Sequence, residues 1–469
     1  MEKTKRMNRL VVLFTVFFFA IQVAFSADKA PKYIFLLIGD GMGTNMRTVA
    51  DSYYQSKQLC SGVKKSELQK LEINDMPFTG NMTTFSLNSD ITDSAAAVTA
   101  MSTGYKTNNG MIGVVGGSDS VETVAEYAKK NGIKVGILSS VWLNHATPAG
   151  FYAHQDSRYN YYEIAEEIAS SGFDFFGASG VKDPEKGDRN IYQLVKDSGY
   201  TIIDSPRSTS EIQDIDGKLW LFDKNYPNLP YEIDGEDSVT LANYTDTCIE
   251  RLYNSIGFFI MVEGGKIDWV CHSNDLASAI KETLAFNEAY KVAYEFYKEH
   301  SEDTLIIVVA DHETGGLNLE NSKIDINNFA SLIDGQSGSD VKFQELLKQL
   351  ENDKIDNEAA FEKMRDFFGL EKITESERKT IEQAYMKGGT QSEDFSYGNN
   401  HSITIAWTQL LAKRAGIQWD TMSHTSTTVQ ITAIGVGAEY FAGNIDNTCL
   451  ARYIKDFIEQ SRSELESQD

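Results

Sequence analysis

The sequence predicts an α/β protein: a doubly wound, mostly parallel central sheet with helices on both faces and an inserted, mostly helical cap region. Apolar runs of strand length alternate with amphipathic runs of helical length, the order expected of parallel strands joined by crossover helices. The strand runs are continuously apolar, which suits strands covered on both faces. Between Gly316 and His401 the texture changes to polar, helix-patterned sequence, which reads as an insertion on that sheet.

Taken in order, Lys3, Lys5, Arg6 and Arg9 precede an apolar run over residues 10–24, and Ala24-Phe25-Ser26-Ala27 supplies small residues for cleavage. That is the pattern of a secretory signal peptide over residues 1–26. The run is short for a membrane span and is broken by Thr15 and Gln22, so residues 27–469 are expected to form one exported domain without a span. Residues 33–38 form the first strand, ending in Gly39-Asp40-Gly41-Met42-Gly43. A helix over 121–130, stopped by Asn131-Gly132, leads into a strand over 133–138. Helices over 161–170, 241–253 and 276–300 lead into strands over 173–176, 257–262 and 305–310, and a last strand over 429–434 follows Ser423-His424-Thr425.

Within the insertion, residues 317–400, Phe343, Leu346, Leu347 and Leu350 share one helical face, and Phe361, Met364, Phe367 and Phe368 share another. Thr374 and Glu377 make a capping box before a third helix. The insertion reads as a lid or a subunit contact, or as surface decoration.

The chain carries a net charge of −25, and removing residues 1–26, with four positive charges and the one negative charge of Glu2, leaves −28. Such acidity excludes nucleic acid and anionic membrane as partners, since both require a basic face, whereas bound divalent cations would offset part of it. Cys60, Cys248, Cys271 and Cys449 form no Cys-x-x-Cys pair, so neither a zinc knuckle nor a redox dithiol is indicated, and no particular disulfide is expected.

The chemistry gathers at strand ends. Asp40 would project from the carboxyl edge of the first strand, where open α/β sheets bind ligands, with flanking glycines that admit a close approach. Thr92-Asp93-Ser94 opens a run of small helix-favouring residues, which places Ser94 in a first helical turn among unpaired N–H groups. Glu263-Gly264-Gly265-Lys266-Ile267-Asp268-Trp269-Val270-Cys271-His272 follows an apolar strand, and Asp268 and His272 meet on one face if helical. Asp311-His312-Glu313 follows another strand, and His424 precedes the last. Singly, each reads equally well as a cap, a turn or a chance pair. Together they concentrate carboxylates and imidazoles at one sheet edge, a donor set suited to zinc with an oxygen-rich position left for magnesium. His154, His300 and His401 have no partner motif and read as packing or surface histidines, and Cys271 as buried filler.

These stretches, with His145-Ala146-Thr147-Pro148-Ala149 and Ser157-Arg158, resemble the alkaline phosphatases in the family's order from Tyr33 to about Gly443. The resemblance implies an alkaline phosphatase-like fold and hydrolysis of small-molecule phosphate monoesters through a phosphoserine, with broad specificity. It implies two Zn2+ and one Mg2+: Asp268, His272 and His424 at one zinc, Asp40, Asp311 and His312 at the second, and Asp40, Thr147 and Glu263 at the third metal. It also implies Ser94 as nucleophile and Arg158 as phosphate clamp oriented by Asp93. His145 stands where some members have Asp, so the third site is expected to accept zinc or cobalt as well as magnesium. Trp269 stands where others have Lys or His; its indole brings a donor and no charge, so phosphate should be held less tightly. A homodimer, and a periplasmic or secreted location, complete what the resemblance and the signal peptide imply. A sulfatase is disfavoured because Ser94-Ala95-Ala96-Ala97-Val98 lacks the Cys/Ser-x-Pro-x-Arg pattern. A phosphodiesterase on the same metal scaffold and a non-catalytic phosphate binder compete with the monoesterase reading.

Overall fold

The computed structural model describes residues 29–117, 119–204, 215–223, 228–320, 322–387 and 402–466. The expected signal peptide, His401 and residues 321 and 388–400 of the expected insertion lie outside them. One sheet contains β1 (Tyr33–Gly39), β2 (Phe78–Thr83), β3 (Lys134–Trp142), β4 (Phe175–Ser179), β5 (Tyr200–Asp204), β6 (Lys218–Phe222), β7 (Phe258–Gly264), β8 (Thr304–Val309), β9 (Val429–Gly435) and β10 (Gly443–Asp446). Their spatial order is β10-β2-β9-β8-β1-β7-β3-β4-β6-β5, and only β9 runs antiparallel to its neighbours.

Every position of β1, β7 and β8 is buried, so helices cover both faces of the sheet centre, as the continuous apolar runs require. The parallel register then aligns the strand ends: Ile38 of β1 lies opposite Glu263 of β7 and Val309 of β8. Asp40, Glu263 and Asp311 therefore emerge side by side at one edge.

The helices that matter here are α1 (Thr44–Cys60), α2 (Ser94–Thr103), α3 (Val124–Lys130), α4 (Tyr161–Ser171), α5 (Leu241–Leu252), α6 (Lys266–His272), α7 (Leu276–Glu299), α8 (Asp340–Asn352), α9 (Asn357–Phe367), α10 (Glu375–Lys387), α11 (Ser402–Arg414) and α12 (Thr448–Glu466). α5 packs on β3 and β4, α7 on β7 and β8, and α12 on α2 and α3. The helix expected from residue 121 starts at Val124, because Thr123 and Glu126 form a reciprocal capping box there. The strand expected over 133–138 runs on to Trp142, since the Ser139 and Ser140 hydroxyls find partners in Glu263 and the Gly265 N–H. In the expected insertion α8, α9 and α10 form as the pattern predicts, including the Thr374–Glu377 box.

The four cysteines are free, Cys248 and Cys271 buried. Cys248 explains a glycine on the facing strand: a Cβ at Gly136 would lie 2.4 Å from its Sγ. Gly136→Ala is expected to lower unfolding free energy by about 1–3 kcal/mol by overpacking β3 against α5. Urea denaturation of that variant and of Gly136→Ala combined with Cys248→Ala checks this, with part of the loss expected to return in the pair.

Candidate active site

Asp93 caps α2: its carboxylate accepts from the Ala96 N–H at 3.0 Å, leaving Ser94 as the first helical residue, fully buried. Small residues fill α2 because neighbouring elements approach closely; a Cβ at Gly150 would lie 2.3 Å from Val98. The other Asp93 oxygen accepts from the Gly110 N–H at 3.0 Å and from Arg158 Nη1 at 3.1 Å, and the Arg158 N–H donates to the Gly110 carbonyl at 2.7 Å. Arg158 is thus held over the start of α2 from two directions.

Three groups of carboxylate and imidazole atoms lie close enough to share a cation: Asp268, His312 and His424; Asp40, Asp311 and His312; and Asp40, His145 and Glu263. His312 belongs to two of them, its ring stacked on His424 at 3.6 Å between centroids. His272 reaches the first group, its Nε2 lying 3.3 Å from Asp268 and 3.2 Å from His424 Nε2. Thr147 reaches the other two by donating to Asp40 at 3.3 Å. All the expected ligands are therefore brought together, with His312 more central than the expected pairing and His145 joining Asp40 and Glu263.

The donor set fits divalent cations. Among the described residues, Asp40 Oδ1, Glu263 Oε1, Asp268 Oδ2 and Asp311 Oδ2 are buried without a hydrogen-bond partner. Three imidazoles are oriented as ligands: His272 Nδ1–H donates to the Met422 carbonyl at 2.6 Å and His424 Nδ1–H to the Thr92 carbonyl at 2.9 Å. Thr314 donates to Asp268 at 2.5 Å, so its oxygen accepts from His312 Nδ1 at 3.2 Å. Each Nε2 lone pair is left facing the site, as in carboxylate- or carbonyl-supported metal ligands. Ser94 Oγ then donates to His312 Nε2 at 3.2 Å. His145 differs, because Arg158 Nη2 donates to its Nε2 at 3.3 Å and leaves the proton on Nδ1, 3.9 Å from Glu263.

Burial, then Asp311, Asp268 and Glu263, drive the Asp40 carboxyl well above its ordinary range. Burial and Asp268 push Asp311 up to about 8. Asp268 is the exception: burial acts upward, but His272 beside it holds it below the usual carboxylate range. Burial lowers His312 and His424.

Several functional neighbours carried no sequence signal. Ser139 donates to Glu263 across the β3–β7 register, a contact between residues remote in sequence. Thr314 and Glu313 were readable only as neighbours of His312; Glu313 accepts from Thr425 at 2.5 Å and so ties the His312 segment to that of His424. The glycines beside Asp40 serve the protein itself, since a Cβ at Gly41 would lie 2.7 Å from Asp268 Oδ1 and one at Gly43 2.2 Å from Glu313. Of the histidines without a partner motif, His154 lies between Glu126 and Glu167 at 3.4 and 3.5 Å, and His300 packs on Phe296.

A family model described as alkaline phosphatase matches residues 31–182 and 174–460. The chain belongs to the alkaline phosphatase family. It is 32% identical over 435 residues to alkaline phosphatase 3 of Bacillus subtilis, covering 90% of this chain and 88% of that one. It is also 32% identical over 343 residues to the Escherichia coli alkaline phosphatase, covering 61% of this chain and 71% of that one. Among solved structures, a cold-active alkaline phosphatase from Shewanella sp. superposes with a TM-score of 0.75 at 26% identity, over 91% of this chain and 99% of that one. A variant of the alkaline phosphatase of the Antarctic bacterium TAB5, solved with magnesium bound, superposes with a TM-score of 0.64 at 25% identity, over 92% and 99%. This alkaline phosphatase-family chain is accordingly a phosphomonoesterase with candidate metal-binding groups of residues, and no helix among its described residues is long and apolar enough to cross a membrane.

The buried acids predict how the metal-stripped protein responds to pH. Asp311 titrates near 4 when unfolded and about 8 when folded, so its contribution to stability is full below the unfolded value and fades as pH rises through about 8. Asp40 has the same sign. His312 and His424, lowered and already neutral, add no slope above about pH 7. Thermal unfolding of chelated protein is expected to show lower stability at about pH 9 than at about pH 7, with zinc narrowing the difference and His154, where burial acts downward but Glu126 and Glu167 raise the imidazole to about 10, leaving a residual fall. Equal stability at both values without metal would contradict the electrostatics described here.

Proposed function

We propose that the chain hydrolyses phosphate monoesters of broad leaving-group type through a covalent phosphoserine on Ser94. The observation that carries this reading is the convergence on α2: Ser94 Oγ lies 3.2 Å from His312 Nε2, and Arg158 is anchored on Asp93 beside it. Asp268, His272 and His424 would hold one Zn2+, Asp40, Asp311 and His312 a second, and Asp40, Thr147 and Glu263 a Mg2+, with zinc or cobalt able to replace it there. When bound, these cations lower the pKa of a hydroxyl or water and offset charge on the attacking and leaving oxygens.

Ser94 gives up its hydroxyl proton and its Oγ attacks phosphorus as the bond to the leaving oxygen breaks, and that oxygen takes up a proton through solvent and departs as the alcohol. Arg158 holds two non-bridging oxygens through its planar fork, which a lysine could not do. The dipole at the N-terminus of α2 would favour the charge of those oxygens. Water then displaces Ser94 from phosphorus, the serine recovers its proton, and phosphate leaves. The grip falls on the phosphoryl group, so the leaving group is little constrained.

Trp269 borders this site edge-on to His145, with ring centroids 5.9 Å apart, and its Nε1 has no partner among the described residues. A neutral donor there holds product phosphate less tightly than a cation would. Residues 1–26 would direct export, to a periplasm or to the medium, and the region of α8 to α10 would serve as a lid or as a contact between two copies.

Hydrolysis of para-nitrophenyl phosphate should be chelator-sensitive and exceed that of the bis-ester, and Ser94→Ala should lose about a thousandfold or more in kcat. Arg158→Lys should lower kcat/KM by about tenfold to a hundredfold. Preference for the bis-ester would point to a phosphodiesterase, and phosphate binding without turnover to a non-catalytic binder. Trp269→Lys is expected to tighten inhibition by phosphate, measured as a lower inhibition constant; an unchanged constant would remove Trp269 from product release.

A further inference from the structure

An aromatic wall leads away from the site. The Trp269 ring, edge-on to His145, packs against Trp142 at 5.5 Å, and Lys182 Nζ lies 5.2 Å from the Trp142 ring centroid and 4.2 Å from that of Tyr161. Trp142 ends β3 opposite Ser179, which ends β4, so Lys182 emerges at the same sheet edge as the acidic strand ends. Its backbone is fixed by fully buried Asn144, the neighbour of His145. Lys182 N–H donates to Asn144 Oδ1 at 2.9 Å, and Asn144 Nδ2 donates to the Lys182 carbonyl at 2.9 Å and to that of Tyr161 at 2.8 Å.

Among the described residues Lys182 forms no ion pair, whereas many of the other lysines meet a carboxylate. Ring faces hold an ammonium without neutralising it, so its charge remains available to an incoming anion. In a chain of net charge −25, such a cation on the aromatic wall that leads from the phosphoryl site is where a negatively charged leaving group would be accepted rather than repelled.

We infer that Lys182, presented on the Trp142–Tyr161 wall, is a specificity-determining residue that binds a second anionic group, carboxylate or phosphate, on the leaving group of the monoester. The inference rests on the phosphomonoesterase reading and names the substrate class that site prefers: monoesters whose alcohol carries another negative charge. Broad hydrolysis remains, with a bias set outside the phosphoryl grip.

The test compares kcat/KM for phenyl phosphate, 3-carboxyphenyl phosphate and 1,3-phenylene bisphosphate in the full metal-loaded chain, in Lys182→Gln and in Lys182→Arg. Lys182→Gln is expected to lower kcat/KM for the two charged esters by about tenfold while leaving phenyl phosphate unchanged, and Lys182→Arg to restore the preference. The arm that loses more, carboxylate or bisphosphate, identifies the anion. The wild-type preference should also fall as salt is raised. An equal loss on all three esters would make Lys182 a packing residue, and no loss on any would remove it from recognition; either overturns the inference while the monoesterase reading stands. Absence of phenyl phosphate turnover in the wild type would overturn both.

Discussion

Asp40, Glu263, Asp268 and Asp311 are all fully buried across three groups linked by Asp40 and His312, and negative charge packed this densely out of water has to be offset by positive charge close at hand. Arg158 supplies some of it, held by Asp93 at the mouth of the site. The imidazoles of His312 and His424 cannot supply the rest while burial keeps them neutral, and their Nε2 lone pairs face inward. A set of anionic oxygens and neutral imidazole nitrogens converging on shared points is the donor pattern of divalent cations. Much of the surrounding architecture serves to hold that pattern in place.

The sheet does most of this holding. Parallel pairing in register sets Asp40, Glu263 and Asp311 level with one another, and such pairing demands strands apolar on both faces, which the composition of β1, β7 and β8 supplies. Hydrogen bonds from Ser139, Thr314 and the Gly41 N–H each fix one carboxylate oxygen and leave the other pointing into the site. Ser94 then arrives from a separate helix whose N-terminus faces the same space. Nucleophile, clamp and cation ligands come from distant parts of the chain, and their relative positions are as rigid as the sheet.

What the sequence makes legible is what local physics governs. Asp40, Glu263 and Asp311 could be read as site residues because each ends a continuous apolar run, and Asp268 with His272 because a four-residue spacing on a helix brings side chains together. β2, β5 and β10 were illegible, being short and of mixed composition at or near the sheet edges, where the apolar signal is weak, and β6, though apolar over Leu219–Phe222, is only five residues long. The sharing of His312 between two groups follows from its stacking on His424, a contact across more than a hundred residues that no spacing encodes. Ser139, Asn144 and Lys182 were missed for the same reason: a serine in unremarkable surroundings acquires its role only when β3 is laid beside β7, and the asparagine and lysine only when β3 is laid beside β4.

The central claim, that the buried acid and imidazole groups form a cation centre serving Ser94, is tested most directly by anomalous diffraction from crystals of fully active protein grown without chelator. The account predicts zinc-edge signal where Asp268, His272 and His424 converge and where Asp40, Asp311 and His312 converge, with a lighter ion beside Asp40 and Glu263. Fully active crystals with no ion at any of these positions would contradict it.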